Sequence, residues 1–124
     1  MRRISGTDVV AAYRTTGLRP LQHAFAGGTA QQPAACGLTA LVLARAPHLR
    51  THYRALGPID AELVLGLAPD YVLGWTAGWD TGDAAFPASP RTTEPFTLGV
   101  LDGAACWRAV TAAGLRDGSG SRAA

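Results

Sequence analysis

The sequence predicts a mainly α fold, a compact single-domain bundle of about five short helices, with a short extended or hairpin segment near residues 18–33; an α+β domain is the alternative. Three observations predict it. Apolar residues recur at three- and four-residue spacing over most of the chain, the breaks between those runs fall at Gly and Pro, and two of the helical runs share one glycine pattern. A length of 124 residues suits one core, and 48% hydrophobic against 16% charged residues is the composition of a chain that folds. The globular domain is expected over residues 1–114, with the Gly-, Ser- and Arg-rich stretch 115–124 as a disordered tail.

Ser5 or Thr7 can cap a first helix over Thr7 to Thr16, with Val9, Val10 and Tyr13 at helical spacing, Asp8 in the favourable first turn and Gly17 as the stop. Pro20 then forbids a helix interior, and the cluster Ala26-Gly27-Gly28-Thr29 marks a turn, so Leu18 to Phe25 is read as extended chain. Pro33 precedes the central helix, in which Leu38, Leu41, Val42 and Leu43 surround most of the circumference, the signature of an element buried on several sides. Pro47 to Gly57 lacks that periodicity and is read as a connector. Pro58 opens a two-turn helix carrying Ile59, Leu63 and Leu67 at intervals of four; Pro69 opens another, with Tyr71, Trp75 and Trp79 at the same interval, ending at Gly82. Asp80 to Glu94 is expected to be a surface loop, and a last helix runs from Pro95 to about Ala113, where Gly114 stops it.

At an offset of 25 residues the chain superposes on itself: Tyr71 on Phe96, Leu73 on Leu98, Gly74 on Gly99 and Gly78 on Gly103. Four glycines inside two helices give up roughly 3 to 4 kcal/mol of helix propensity relative to alanine. Close backbone approach is the natural compensation, because glycines one turn apart leave a flat groove on one face. On the last helix Phe96, Gly99, Val100, Gly103, Cys106, Trp107 and Val110 share one stripe, which predicts glycine face packed on glycine face.

Eleven basic residues, all arginine, against nine acids leave a net charge of +2, too weak a field to mark the whole chain as a nucleic-acid or membrane binder. The opening MRRISGTDVV has no apolar run of signal-peptide length, and the uncharged stretch Gln31 to Ala44 holds too few apolar positions to cross a bilayer. Two cysteines do not make a disulfide framework, so free thiols in a reducing cytoplasm are expected.

Four constellations could carry chemistry. Cys36 stands at the start of the central helix, where the dipole and free N–H groups can lower a thiol pKa. The stretch Gln31-Gln32-Pro33-Ala34-Ala35-Cys36-Gly37-Leu38 resembles the Gln-then-Cys-Gly entry of papain-like cysteine peptidases. The resemblance implies an oxyanion-supporting glutamine and a nucleophilic Cys36. Such enzymes place their histidine on a later strand; no histidine follows His52 here, which leaves His23, His48 or His52 as the base. His48 and His52 also have the i, i+4 spacing that lets two imidazoles share a metal on one helix face, although no third ligand has a fixed spacing, and a surface position for both is favoured. Arg45, His48, Arg50, His52, Tyr53 and Arg54 form the locally basic stretch, suited to an anion or RNA. Trp75, Trp79, Asp80 and Asp83 combine aromatic faces with carboxylates ahead of a loop.

No phosphate-binding glycine loop, Ser-His-Asp motif or Cys-x2-Cys pair is present, so no cofactor and no metal are expected. The chain is accordingly read as a small cytoplasmic, non-catalytic interaction module that binds a protein partner or itself. Arg45, His48, Arg50, Arg54, Trp79, Asp80 and Asp83 are its candidate contact residues. A cysteine hydrolase or acyltransferase using Cys36 with His23 or His52 is the first alternative, and RNA or anion binding through residues 45–54 the second.

Overall fold

The computed structural model describes residues 1–85 and 92–115 of the chain. Among them run helix α1 (Gly6–Thr16), strands β1 (Arg19–Pro20), β2 (Ala26–Gly28) and β3 (Pro33–Ala35), helix α2 (Gly37–Arg45), a 3-10 segment (Pro47–Ala55), and helices α3 (Pro58–Leu65), α4 (Pro69–Thr81) and α5 (Glu94–Ala112). The fold is mainly α, as the periodicity predicts, with a small sheet in place of the extended segment. The expected tail lies outside the described residues except for Leu115, which packs against the core. The middle of the Asp80 to Glu94 loop, residues 86–91, lies outside them as well.

Local signals set most helix ends. The Ser5 hydroxyl accepts the Asp8 N–H at 3.2 Å, and Gly17, at φ 71, closes α1 in the left-handed conformation that favours glycine. Thr93 starts α5 in the same way by accepting the Phe96 N–H. Helix α2 buries Gly37 through Ala40 together with Val42 and Leu43, so it is covered on most sides.

The centre of the molecule is the α4–α5 pair. A Cβ built on Gly74 would run into the Phe96 carbonyl, and one on Gly99 into the Tyr71 carbonyl; Gly78 meets the Val100 carbonyl, and Gly103 the Trp75 carbonyl. Rising numbers on α4 meet rising numbers on α5, so the two helices run parallel. Adding 25 to one partner and subtracting it from the other turns each contact into its mate, which is the exchange of residues that a two-fold axis imposes. The glycine repeat is therefore a geometric one. Each missing side chain leaves a hydrogen aimed at the facing carbonyl oxygen, and Cα–H···O contacts of this kind are worth about 0.5 to 1 kcal/mol each. Four of them offset much of the propensity the glycines forgo.

Around this pair the aromatic residues assemble. Trp75 and Trp79 stack with centroids 5.1 Å apart, Tyr13 stacks on Trp79 at 6.2 Å, and Trp107 meets Trp79 edge-on at 5.0 Å. Gly37 admits the Trp75 ring against the start of α2, since a Cβ there would lie 2.6 Å from the ring. The N-terminal arm is strapped to the pair: Arg3 holds both oxygens of Asp102 at 2.8 and 2.9 Å. The Tyr71 hydroxyl donates to Asp102 Oδ2 at 2.6 Å and accepts the Ile4 N–H at 2.8 Å.

Three elements differ from the sequence reading. The extended segment becomes a three-stranded sheet in the order β1-β3-β2, because Pro33–Ala35 pairs antiparallel with β2 and parallel with β1 before entering α2. The connector 47–57 coils instead into a 3-10 segment with a break at His52 (φ −115); none of its residues is buried, so it carries no apolar stripe to read. In α3 the face turned inward is Ala61 and Leu65, whereas Ile59 and Leu63, which mark the helix by their spacing, stand in solvent.

Candidate interaction surface

The helix that carries that outward stripe also lends Pro58 and Glu62 to the groove of greatest functional interest. Along one side of α4, Pro69, Asp70, Val72, Leu73, Thr76, Ala77 and Asp80 form the floor of a groove of about 620 Å³. Pro58 and Glu62 of α3, with Phe25 and Phe96, supply its walls. Small residues at 76 and 77 leave the space open. Leu73 within it is 63% exposed; on α3, Ile59 and Leu63, which follow the lining residues Pro58 and Glu62 in sequence, are 68% and 78% exposed. Isolated exposed aliphatics are ordinary, but large ones gathered around a concave face mark an interaction site.

The wall at Phe25 is fixed from α4 itself. Trp79 Nε1 donates to the Leu21 carbonyl at 2.7 Å, Gln22 Nε2 donates to the Trp79 carbonyl at 2.8 Å, and the His23 N–H donates to Asp80 Oδ1 at 2.8 Å. The Gln22 bond satisfies a carbonyl in the last turn of α4 that the helix leaves without an N–H. His23 adopts a left-handed conformation, φ 69, at this clamp.

Three carboxylates line the groove. Asp70 accepts the Thr93 hydroxyl at 2.9 Å and Asp80 accepts the His23 N–H, so neutral donors orient them and leave their charge in place. Among the described residues no arginine lines the groove, and the one ion pair, Arg3 with Asp102, lies elsewhere.

The basic stretch is turned inward on the protein's own carbonyls. Arg50 donates to Thr16 O at 2.8 Å, Arg45 to Val64 O at 3.5 Å and Arg54 to Gly28 O at 3.0 Å, while the Tyr53 hydroxyl holds Gly27 O. Thr16 and Val64 sit in the last turns of α1 and α3, where a helix favours cations. His48 and His52 are exposed, and the 3-10 coil with its break separates them from the α-helical spacing that sharing a metal requires. Among the described residues no three His, Cys, Asp or Glu side chains cluster as metal ligands would.

Trp79 and Trp75 are fully buried and offer no ring face to a ligand; of that constellation only Asp80 reaches the groove, and Asp83 turns its oxygen to the Ala85 N–H. Cys36 does begin α2, but it is buried, its sulfur lies 3.5 Å from the Thr39 hydroxyl, and no imidazole is among its hydrogen-bond partners. Burial pushes its thiol up, outweighing the bonds at the helix start that favour the thiolate. Burial also pushes the Cys106 thiol up, to about 12.

The expected result is that neither cysteine reacts with a disulfide reagent in the native protein at neutral pH, and that both react once it is unfolded. Rapid native reaction of Cys36 would instead support the nucleophile reading. The same shifts set an alkaline limit. The unfolded Cys106 thiol ionises near 9.0 while the native one stays protonated, so stability is intact below pH 9 and falls between pH 9 and about 12. Denaturant titrations across that range measure it.

In the sequence Ile59 and Leu63 read as helix periodicity and Leu73 as part of the 25-residue repeat, and nothing in their spacing separates an inward from an outward stripe. No protein-family model, curated protein or solved structure matches the chain.

Proposed function

We propose that the chain is a small cytoplasmic, non-catalytic interaction module that docks a protein through the α3–α4 face. The observation that carries this reading is a groove between α3 and α4 that holds the 63% exposed Leu73 together with the carboxylates of Glu62, Asp70 and Asp80, next to an α3 that leaves Ile59 and Leu63 in solvent. Two free, buried cysteines suit a reducing compartment. Among the described residues no helix is long and apolar enough to cross a membrane.

A photo-crosslinking amino acid placed at Leu63 or Leu73 is expected to capture one dominant polypeptide in cells. The same group at Ala11, exposed on α1 and outside this face, is expected to capture none. An adduct of twice the chain's mass identifies a second copy as the partner. Capture from position 11 with none from 63 or 73 overturns the reading.

A further inference from the structure

Resting on that docking reading, we infer that the α3–α4 groove receives an amphipathic helix whose apolar stripe is flanked by arginine or lysine. Charge names the first part of the partner. Asp70 and Asp80 stand near opposite ends of α4, and Glu62 lines the groove from α3; among the described residues no arginine lines it, so the groove presents negative charge that a basic partner complements. An acidic or uncharged partner would bury those carboxylates without pairing them, which is costly, while a basic one gains steering as well as pairing.

Backbone chemistry names the second part. An extended peptide draws its affinity from main-chain bonds to an unpaired strand edge, and the residues that line this groove supply none: its floor and one wall are the helices α4 and α3, and Phe25 and Phe96 lie outside the strands. A helix brings its own backbone bonds and needs only side-chain pockets. From Pro69 to Asp80 the floor is about 16 Å long, three turns of helix. That length accommodates anchors at i, i+3, i+4 and i+7, with Leu73 and Val72 beneath them.

The test uses two synthetic amphipathic peptides with leucines at those positions, one with arginine and one with glutamate on the flanks, titrated by fluorescence anisotropy. The arginine form is expected to bind about tenfold or more tightly than the glutamate form, with the margin shrinking at high salt. Glu62→Gln with Asp80→Asn is expected to narrow that margin, and Leu73→Ser to weaken the arginine peptide at every salt concentration. Equal affinity for the two peptides overturns the charge assignment while leaving the docking face. Binding by neither peptide overturns both. A dimer in light scattering that Leu73→Ser dissolves assigns the groove to a second copy and overturns this proposal.

Discussion

Replacing Gly103 by alanine is expected to destabilise the protein by about 3 kcal/mol, lowering the melting temperature by roughly 10 to 20 °C. Helix propensity alone predicts the opposite sign, a gain of about 1 kcal/mol. Geometry decides. The new methyl meets the Trp75 carbonyl and lies 2.8 Å from the Trp79 nitrogen, and both are backbone atoms of a helix that cannot rotate aside. The helices have to separate, and separation weakens the contacts at the other three glycines too. Gly78→Ala is expected to cost a similar amount, because it meets the Val100 carbonyl and the Ala104 nitrogen in the equivalent arrangement. Gly57→Ser gives the contrast: nothing lies within 4 Å of a Cβ there, the backbone is extended at φ −146, and a hydroxyl improves the start of α3, so stability should rise by a few tenths of a kcal/mol. Thermal melts of the three variants suffice. A Gly103→Ala protein as stable as the parent would remove the helix pair from the centre of this account.

Asp102→Ala is expected to cost about 2 kcal/mol, the usual scale for a hydrogen bond to a charged acceptor whose loss leaves a buried donor unpaired. The Tyr71 hydroxyl is that donor, in a fully buried ring, and the same carboxylate holds Arg3. Tyr71→Phe removes the hydroxyl that also accepts the Ile4 N–H. Because the two substitutions act on one network, the double variant is expected to be much less destabilised than the sum of the singles. Arg3→Ala, at a half-exposed side chain, should show a smaller, salt-sensitive effect. Additive losses at 71 and 102 in urea titrations would mean that the two groups act independently.

Much of this fold is legible in the residues because local physics determined it. Ser5, Gly17, Gly82 and Thr93 act at helix ends within a few residues of themselves, and the 25-residue glycine repeat encodes its own partner. What escaped was set by distant contacts. Pro33–Ala35 is a strand only because β1 and β2 flank it, and Pro47–Ala55 is coiled with no buried face to reveal it. For the candidate site, Asp80 was singled out by composition and does reach the groove, but the groove itself was not legible. Whether Ile59 and Leu63 face inward depends on Ala61 and Leu65 winning the place against the core, a competition between two small stripes of one short helix.

The parallel course of α4 and α5 has a consequence for the tether between them. Thirteen residues of α4 advance the chain by about 20 Å, and the next helix starts back beside the first turn, so the tether must retrace that distance. Fully stretched chain covers at most about 3.3 to 3.6 Å per residue, which sets a floor of about six residues. Lengthening carries only the slow logarithmic penalty of a larger loop. Evolution can therefore add to this stretch freely, but can trim it only so far before the two helices lose their register.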